Sequence, residues 1–438
     1  MKRHYTFIDL FAGAGGLSEG FIRAGFDPIA HIEMDHHACD TLRTRAAYHY
    51  LEKECKLDIY EKYLKEKKEE TDGSWLWKQV PKQIIDTVIQ ETIGNDTLPG
   101  LFCKVDRLCK GKAVDLIIGG PPCQAYSIVG RARVGEKIEN DPRNDLYKFY
   151  VKFLGQYKPK MFVFENVLGI RTAKHGAPFR HLKELVNELG YEMKDQIQVA
   201  SQHGVLQNRQ RVIIVGWLRE TEKGGKTTYH YPDLPVEKLH YQVMKDLFSD
   251  LPVRHAGEGQ LCGPVYYTKD LSEMKYLEES GIRGAMTFTT QHIARPTNLN
   301  DREIYRQAVE LLKRGKRLSY DKLPPSLQKH KNKHSFLNRF CVVNPNGACH
   351  TIVAHIANDG HYYIYPTPEP TVENVRSITI REAARIQSFP DDYFFEGSRT
   401  SAFKQIGNAV PVILAVKLGL EIKKILTYED ELRRAQNR

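Results

Sequence analysis

The chain has few cysteines for its length, and their spacing matches no familiar framework. Eight cysteines are spread over 438 residues, and none forms a Cys-x-x-Cys pair. This pattern predicts neither a zinc site nor a disulfide-stapled scaffold, so no metal ligands are expected. The sequence also lacks an apolar run of roughly 20 residues, the length that crosses a bilayer, and its first residues carry no cleavage signal. We therefore expect a protein of the reducing cytoplasm that does not enter a membrane.

Acidic residues are outnumbered by basic ones. Lys and Arg total 64 against 54 Asp and Glu, which gives a formal net charge of +10. Residues 302–339 concentrate this excess, with 11 basic and 3 acidic side chains. Such a stretch is a candidate surface for nucleic-acid phosphates. The alternatives are a solvated charged face and a mildly basic protein with no nucleic-acid role.

Short apolar runs alternate with helical patterns in the first half of the chain. This alternation predicts an α/β fold with a Rossmann-like, mostly parallel sheet and helices on both faces. Ligands bind such sheets at the carboxyl ends of the strands. The predicted strands are Tyr5–Phe11, Pro28–Glu33, Asp115–Gly120, Met161–Glu165 and Arg211–Trp217.

Two regions break this alternation. Residues 50–100 are rich in Lys and Glu and predict a helical, inserted surface element. Residues 220–375 show weak periodicity with scattered Gly and Pro, which predicts a separate, irregular domain. The chain becomes regular again near Ile378, and an amphipathic helix is expected from about Val412 to Leu432.

No G-x-G-x-x-G motif is present, yet a glycine-rich turn, Phe11–Gly16, follows the first predicted strand. Glycines there let a ligand approach the backbone closely. Glu33 ends the second strand about 20 residues on, where an acid typically binds the ribose hydroxyls of an adenine cofactor. Together they predict an adenosyl ligand without a pyrophosphate, although a tight structural turn would explain the glycines alone.

Three further segments place reactive side chains at the same edge of the sheet. Cys123 follows a strand and two prolines, where a thiolate would act as a nucleophile; a buried, inert thiol is the alternative. Glu165 ends another apolar strand and suits proton transfer, unless it is a cap or a surface acid. Arg209 and Arg211 face the same side of an extended segment and could clamp a phosphate, a base oxygen or a carboxylate. A solvent-facing basic pair is the alternative.

These blocks, in this order, resemble the ordered motifs of the cytosine-C5 DNA methyltransferases. The matching segments are Asp9–Gly16, Gly119–Gln124, Asp141–Tyr147, Glu165–Val167, Gln207–Arg211, Arg381–Pro390 and Gln405–Pro411. Residues 220–375 match none of them, and the variable target-recognition domain of the family lies there.

The resemblance implies the S-adenosylmethionine-dependent methyltransferase fold, with a smaller, irregular target-recognition domain. The expected catalytic domain spans residues 1–230 and the target-recognition domain spans residues 231–395. Residues 396–438 are expected to return to the catalytic domain.

The resemblance also implies a reaction, in which a methyl group passes from S-adenosylmethionine to carbon 5 of a cytosine flipped out of double-stranded DNA. Cys123 would be the covalent nucleophile, and Glu165 would bond N3 and the exocyclic amine. Arg211 would face the base oxygen, while Arg209 would meet a phosphate or orient the cysteine loop.

Other residues are assigned by the same resemblance to the cofactor and to DNA. Glu33 would take the ribose and Asp106 the adenine amine. The residues implied around the cofactor are Phe11, Gly13, Gly15, Glu33, Asp106, Pro122, Asn408 and Ala409. The residues implied to contact DNA are Gln124, Ser127 and Gln207.

Two other functions stay open at this point. A minor branch of the family methylates transfer RNA, but usually on a chain with a shorter middle region. A DNA-binding module without catalysis is the other, and the intact catalytic set weighs against it. The overall plan resembles bacterial restriction-modification enzymes, so we expect a DNA-associated cytoplasmic monomer, with a cognate restriction endonuclease acting separately.

Overall fold

The computed structural model describes residues 4–122, 145–220, 225–330 and 332–436. Its strands are β1 (Tyr5–Leu10), β2 (Phe26–Glu33), β3 (Val88–Gln90), β4 (Leu116–Gly119), β5 (Met161–Asn166), β6 (Tyr191–Val199), β7 (Gln207–Asn208), β8 (Gln210–Leu218), β9 (Val265–Tyr266), β10 (Phe288–Thr289) and β11 (Cys349–His350). Its α-helices are α1 (Gly16–Arg23), α2 (His36–Lys53), α3 (Leu57–Glu66), α4 (Ser74–Trp77), α5 (Lys82–Ile85), α6 (Leu98–Cys109), α7 (Leu146–Tyr157), α8 (Ala177–Glu188), α9 (Lys275–Glu279), α10 (Leu299–Lys313), α11 (Ile380–Ile386), α12 (Arg399–Asn408) and α13 (Val412–Gln436).

The central sheet has seven strands in the order β3-β2-β1-β4-β5-β8-β6. The five strands from β3 to β5 are parallel to one another, whereas β8 runs antiparallel to β5 and β6. The predicted α/β fold with a mostly parallel sheet is therefore confirmed. Because β1, β4 and β5 are parallel neighbours, the segments that follow them emerge side by side at one edge of the sheet.

Helices cover both faces of this sheet, which explains why its central strands are continuously apolar. All six residues of β1 are buried. Successive residues of a strand point to opposite faces. Phe7 accordingly belongs to the apolar cluster shared with α1 and α13, while Ile8 belongs to the cluster shared with α6, α7 and α8.

Helices α1 and α13 approach each other closely through small residues. A Cβ added to Gly20 would lie 2.3 Å from the Cβ of Ala415, and one added to Gly419 would lie 2.8 Å from the Cβ of Ala24. The predicted C-terminal helix is confirmed as α13, and it packs on the sheet beside the first helix of the chain.

Helix α3, within the predicted surface element of residues 50–100, exposes its charged face and buries the opposite one. Tyr60 and Tyr63 are buried in an apolar cluster that also contains residues from the C-terminal part of the chain. The Tyr63 hydroxyl donates to Glu396 Oε1 at 2.5 Å, and the Tyr60 hydroxyl donates to the Asp392 carbonyl at 2.7 Å. The Lys and Glu residues occupy the other face of this amphipathic helix, so a charged composition concealed an apolar face.

The middle of the chain is joined to α11 by buried charges. Arg385 is fully buried, and its guanidinium lies 2.5 Å from Asp250 Oδ1 and 2.6 Å from Asp391 Oδ2. Arg283 also contacts Asp250, at 3.1 Å. Such a cluster is stable only when each buried charge keeps its partners.

The domain limits expected at residues 230 and 395 stay predictions. One apolar cluster contains buried residues from both sides of each limit, so the core does not mark a boundary at either position. Within the described residues, no helix combines the length and the apolar character that crossing a bilayer requires.

Asp250→Ala is expected to destabilise the fold strongly. The substitution removes the carboxylate that the buried guanidinium groups of Arg283 and Arg385 both contact. Breaking a buried ion pair costs about 3–5 kcal/mol. Urea denaturation measures this loss. The control is Glu61→Ala, which removes the exposed Glu61–Lys65 pair and should change the free energy of unfolding by about 0.5 kcal/mol or less. Equal losses in the two variants would contradict the expectation.

Candidate active site

Glycines shape the turn that follows β1. Phe11, Gly13 and Gly15 have φ angles of +57°, +55° and +81°, in the left-handed region that favours glycine. Gly16 lies so close to Val410 that an added Cβ would be 2.5 Å from its carbonyl oxygen. At Gly13, by contrast, an added Cβ would meet no described atom within 4 Å, so open space adjoins the turn there.

Glu33, at the end of β2, holds this turn in place. Its Oε2 accepts the N–H of Gly13 at 2.8 Å, and its Oε1 accepts the N–H groups of Met34 and Asp35 at 2.9 Å each. Burial raises the pKa of Glu33, and the three backbone donors offset part of that rise. The structure therefore brings the glycine turn and this predicted carboxylate together.

The C-terminal end of α12 closes on the same turn. A Cβ added to Gly16 would lie 3.0 Å from the Cβ of Ala409. Ala409 is buried, while the preceding Asn408 is exposed. The hydroxyl of Tyr393 donates to the carbonyl of Ala14. Ala409 thus lies beside the glycine turn, and Asn408 precedes it at the end of α12; their contacts with a cofactor stay predictions.

Glu165 and Arg211 form an ion pair across two neighbouring strands, β5 and β8. Arg211 Nε lies 2.8 Å from Glu165 Oε1, and the two side chains are 15% and 13% exposed. A Cβ added to Gly120 would lie 2.8 Å from Glu165 Oε2. The chain therefore passes directly against this carboxylate at Gly120, two residues before the exposed Pro122. In the sequence, Cys123 follows Pro122.

The remaining residues predicted on this loop are not placed. Cys123, Gln124 and Ser127 lie outside the described residues, so their roles stay predictions.

Arg209 and Gln207 occupy buried positions that do not fit the predicted contacts. Arg209 is 1% exposed, and it donates to the carbonyl oxygens of Ile352 at 2.6 Å and Gly407 at 3.3 Å. Gln207 is fully buried; it donates to Gln387 Oε1 at 2.8 Å and accepts the N–H of Ile352 at 2.9 Å. Interior main-chain groups need such partners. These side chains hold the fold together, and neither the phosphate contact of Arg209 nor the DNA contact of Gln207 fits this placement.

Asp106 also lies away from the site. It is exposed in the last turn of α6, where its carbonyl accepts the N–H of Lys110. Because α6 runs back between two parallel strands, its last turn lies at the amino edge of the sheet, opposite the glycine turn. The predicted adenine contact of Asp106 therefore does not fit.

Sequence reasoning missed the acid that does follow β3. The N–H of Glu91 donates to the Glu33 carbonyl at 2.9 Å, so Glu91 lies beside Glu33 at the carboxyl edge of the sheet. Strand β3 has three residues, and its apolar run, Val88–Ile89, is too short to predict a strand from the sequence.

Comparisons with known proteins agree with this arrangement. Residues 5–73 and 103–424 match the family described as C-5 cytosine-specific DNA methylase. The type II methyltransferase M.Bpa9945I of Bacillus paralicheniformis is 37% identical over 449 residues, which cover 96% of this chain and 98% of that protein. M.DdeI of Desulfomicrobium norvegicum is 32% identical over 95% of this chain and 88% of its own.

Solved structures share the fold at lower identity. A protein assigned as a DNA modification methyltransferase in an E. coli prophage superposes with a TM-score of 0.59 at 22% identity, over 97% of this chain and 99% of its own. The methyltransferase EhMeth of Entamoeba histolytica gives a TM-score of 0.53 at 14% identity, over 97% and 99%.

Arg209→Met is expected to lower the free energy of unfolding by about 2–4 kcal/mol, because two buried carbonyl groups lose their donor. Denaturation in urea measures the loss. Arg219→Met is the matched control, since Arg219 also donates to two carbonyl groups, those of Asn187 and Gly190, but is exposed, and it should change stability less. A larger loss from Arg219→Met would contradict the structural role of Arg209.

Proposed function

Because the chain belongs to the C-5 cytosine-specific DNA methylases, we propose that it transfers the methyl group of S-adenosylmethionine to a cytosine in one specific double-stranded sequence. The protein is a DNA (cytosine-5-)-methyltransferase of the restriction-modification type. The observation that supports methyl transfer to cytosine is the Glu165–Arg211 pair. Its Glu165 carboxylate lies against Gly120, three residues before Cys123 in the sequence.

The residues at the glycine turn suit an adenosyl cofactor. The carboxylate of Glu33 ends its strand where an acid accepts ribose hydroxyls, and the open space at Gly13 leaves room above the turn. Bound there, S-adenosylmethionine supplies an electrophilic methyl group on a sulfonium. The residues proposed to surround it are Phe11, Gly13, Gly15, Glu33, Pro122, Asn408 and Ala409.

Carbon 5 of cytosine is a poor nucleophile, and the proposed first step activates it. The thiolate of Cys123 bonds to carbon 6, and the electrons of the C5–C6 double bond move toward N3. Glu165, which would have to gain a proton and give up its ion pair with Arg211 as the base binds, donates that proton to N3, and an enamine with a nucleophilic carbon 5 results. Arg211, held beside Glu165, suits the base oxygen, where negative charge develops.

The proposed later steps restore the ring. Carbon 5 bonds to the methyl carbon as the bond from that carbon to the sulfonium sulfur breaks, so S-adenosylhomocysteine is the leaving group. The proton on carbon 5 then passes to a base, and the electrons of that C–H bond re-form the C5–C6 double bond. The sulfur of Cys123 leaves as a thiolate, and N3 returns its proton to Glu165. Carbon 6 is out of reach within a stacked duplex, so the base must be flipped out. General acid support of this kind is worth ~10² to 10⁴ in rate.

The setting of the reaction is also part of the proposal. Similarity to type II methyltransferases favours a protective role beside a separate restriction endonuclease. We propose that the enzyme acts as a monomer on DNA in the bacterial cytoplasm. Residues 1–230 and 396–438 would carry catalysis, and residues 231–395 would recognise the target.

A duplex with 5-fluorocytosine at the target position should trap a covalent complex that survives denaturing electrophoresis. The fluorine cannot leave as a proton does, so the sulfur of Cys123 stays bonded to carbon 6. The target is first identified by bisulfite sequencing of DNA from cells that express the protein.

Cys123→Ser is the control for this trap. It should form no adduct and transfer no methyl group, yet still bind the duplex. An adduct with Cys123→Ser would exclude Cys123 as the nucleophile, and methylation of transfer RNA alone would exclude DNA as the substrate.

Glu33→Gln should weaken binding of S-adenosylhomocysteine on the order of tenfold, because a charged hydrogen bond is lost. Burial raises the pKa of Glu33, and the ionised carboxylate is a stronger acceptor for a ribose hydroxyl than the protonated acid. Affinity of the wild type should therefore be constant above this raised pKa and fall as the pH drops through it. Glu33→Gln should lack this fall. Isothermal titration calorimetry across the mildly acidic range tests both expectations.

Asp106→Asn is the control for the Glu33 experiment. Asp106 is exposed on α6, at the other edge of the sheet, so affinity should not change. A tenfold loss from Asp106→Asn with none from Glu33→Gln would reverse the assignment.

A further inference from the structure

A short turn in the middle of the chain displays an aromatic side chain to solvent. Phe336 is 60% exposed and has a φ angle of +54°, a conformation that bulky side chains rarely adopt. An unfavourable backbone angle persists only where the surroundings impose it, and such positions cluster at functional sites. Packing of Phe336 itself does not explain either feature.

Arg339 imposes this conformation. Its Nε donates to the carbonyl of Phe336 at 3.0 Å, and its Nη2 donates to the carbonyls of Asn332 and Ser335 at 2.7 Å each. Asn332 Oδ1 also accepts the N–H of Ser335 at 2.9 Å. Residues 332–336, here called the Phe336 turn, are therefore fixed by Arg339 and by the Asn332 side chain, while Lys333, His334 and Phe336 are exposed.

The Phe336 turn stands on a small apolar core. The Arg339 guanidinium lies 4.2 Å from the centre of the Tyr320 ring. Tyr320 is fully buried and stacks on Phe340 with ring centroids 5.9 Å apart. The N–H of Tyr320 donates to the Leu337 carbonyl at 2.8 Å. Because α10 contributes to the same core, the turn is anchored to a helix.

Basic residues outnumber acidic ones in the part of the sequence that contains the Phe336 turn. The turn lies in the stretch 302–339, which has 11 basic and 3 acidic residues. Two of those acids, Glu303 and Glu310, contact Arg306 of their own helix at 2.7 and 2.6 Å. Lys333 is exposed within the turn, and Lys329 is exposed three residues before it. The nearby carboxylates of Asp301 and Asp359 face His361, at 4.0 and 3.7 Å from its Nε2. Lys329 and Lys333 are therefore exposed cations available for phosphates.

We propose that the Phe336 turn enters a groove of the DNA substrate, with the Phe336 ring against base edges and Lys329 and Lys333 on phosphates. Phe336 would then help to select the target sequence. This proposal rests on the DNA methyltransferase activity. Phe reads bases through apolar contact with the thymine methyl group or as a wedge at a base step. A preorganised turn loses little entropy when it binds.

The test uses Phe336→Asn, because Asn tolerates the left-handed region. The variant should be as stable as the wild type or more so, which separates recognition from folding. Its kcat/KM on the preferred target should fall on the order of tenfold. The ratio of kcat/KM on that target to kcat/KM on duplexes with a single-base mismatch should also decrease. Steady-state methylation of a duplex series measures both quantities.

Two further variants complete the experiment. Lys333→Ala should weaken binding equally on all sequences and reduce the slope of log affinity against log salt by about 1. Tyr428→Ala removes another exposed aromatic, 56% exposed on α13, and should change neither kcat/KM nor preference.

Wild-type rates and preference in Phe336→Asn would overturn the proposal. So would a loss that is equal on every duplex and accompanied by a lower free energy of unfolding. Absence of wild-type methylation on all cytosine-containing duplexes would instead refute the proposed function, and it would be seen before any variant is compared.

Discussion

One buried guanidinium joins the central sheet to the middle and to the C-terminal part of the chain. Arg209 precedes β8 and donates to carbonyl groups of Ile352, in the middle of the chain, and Gly407, at the end of α12. Two residues later, Arg211 contacts Glu165. Burial, and next the charge of Arg211, lower the pKa of Arg209, so the two guanidinium groups share one neighbourhood. The same hydrogen bonds that fix the interior thus fix the origin of the strand that carries Arg211.

The residues that the sequence located correctly are those at strand ends. The glycine turn, Glu33 and Glu165 each stand where an apolar run stops, and parallel strands bring such points to a common edge. Sheet order did not have to be known for this inference, because any arrangement of these parallel strands places their carboxyl ends together. The backbone bonds from Gly13, Met34 and Asp35 to Glu33 could not be read from the sequence.

Away from the strand ends, the sequence did not reveal how deeply a side chain is buried or towards which edge of the sheet a helix runs. The spacing of Arg209 and Arg211 indicated a common side but not that the first is covered by Ile352 and Gly407. Asp106 was assigned by its place in the order of blocks, although the helix that carries it runs to the opposite edge. In α3, charged and apolar residues are equally numerous, and the packing against Glu396 and Asp392 shows which face is inside.

The close approach of α1 and α13 governs how this chain can be made. Most of the chain separates Gly20 in α1 from Ala415 in α13. The two helices can therefore pack only after α13 has been synthesised. Until then, the face of β1 that carries Phe7 lacks part of its cover, and exposed apolar surface of this kind attracts chaperones and favours aggregation. Strand β1 therefore leaves the ribosome long before its Phe7 face is fully covered.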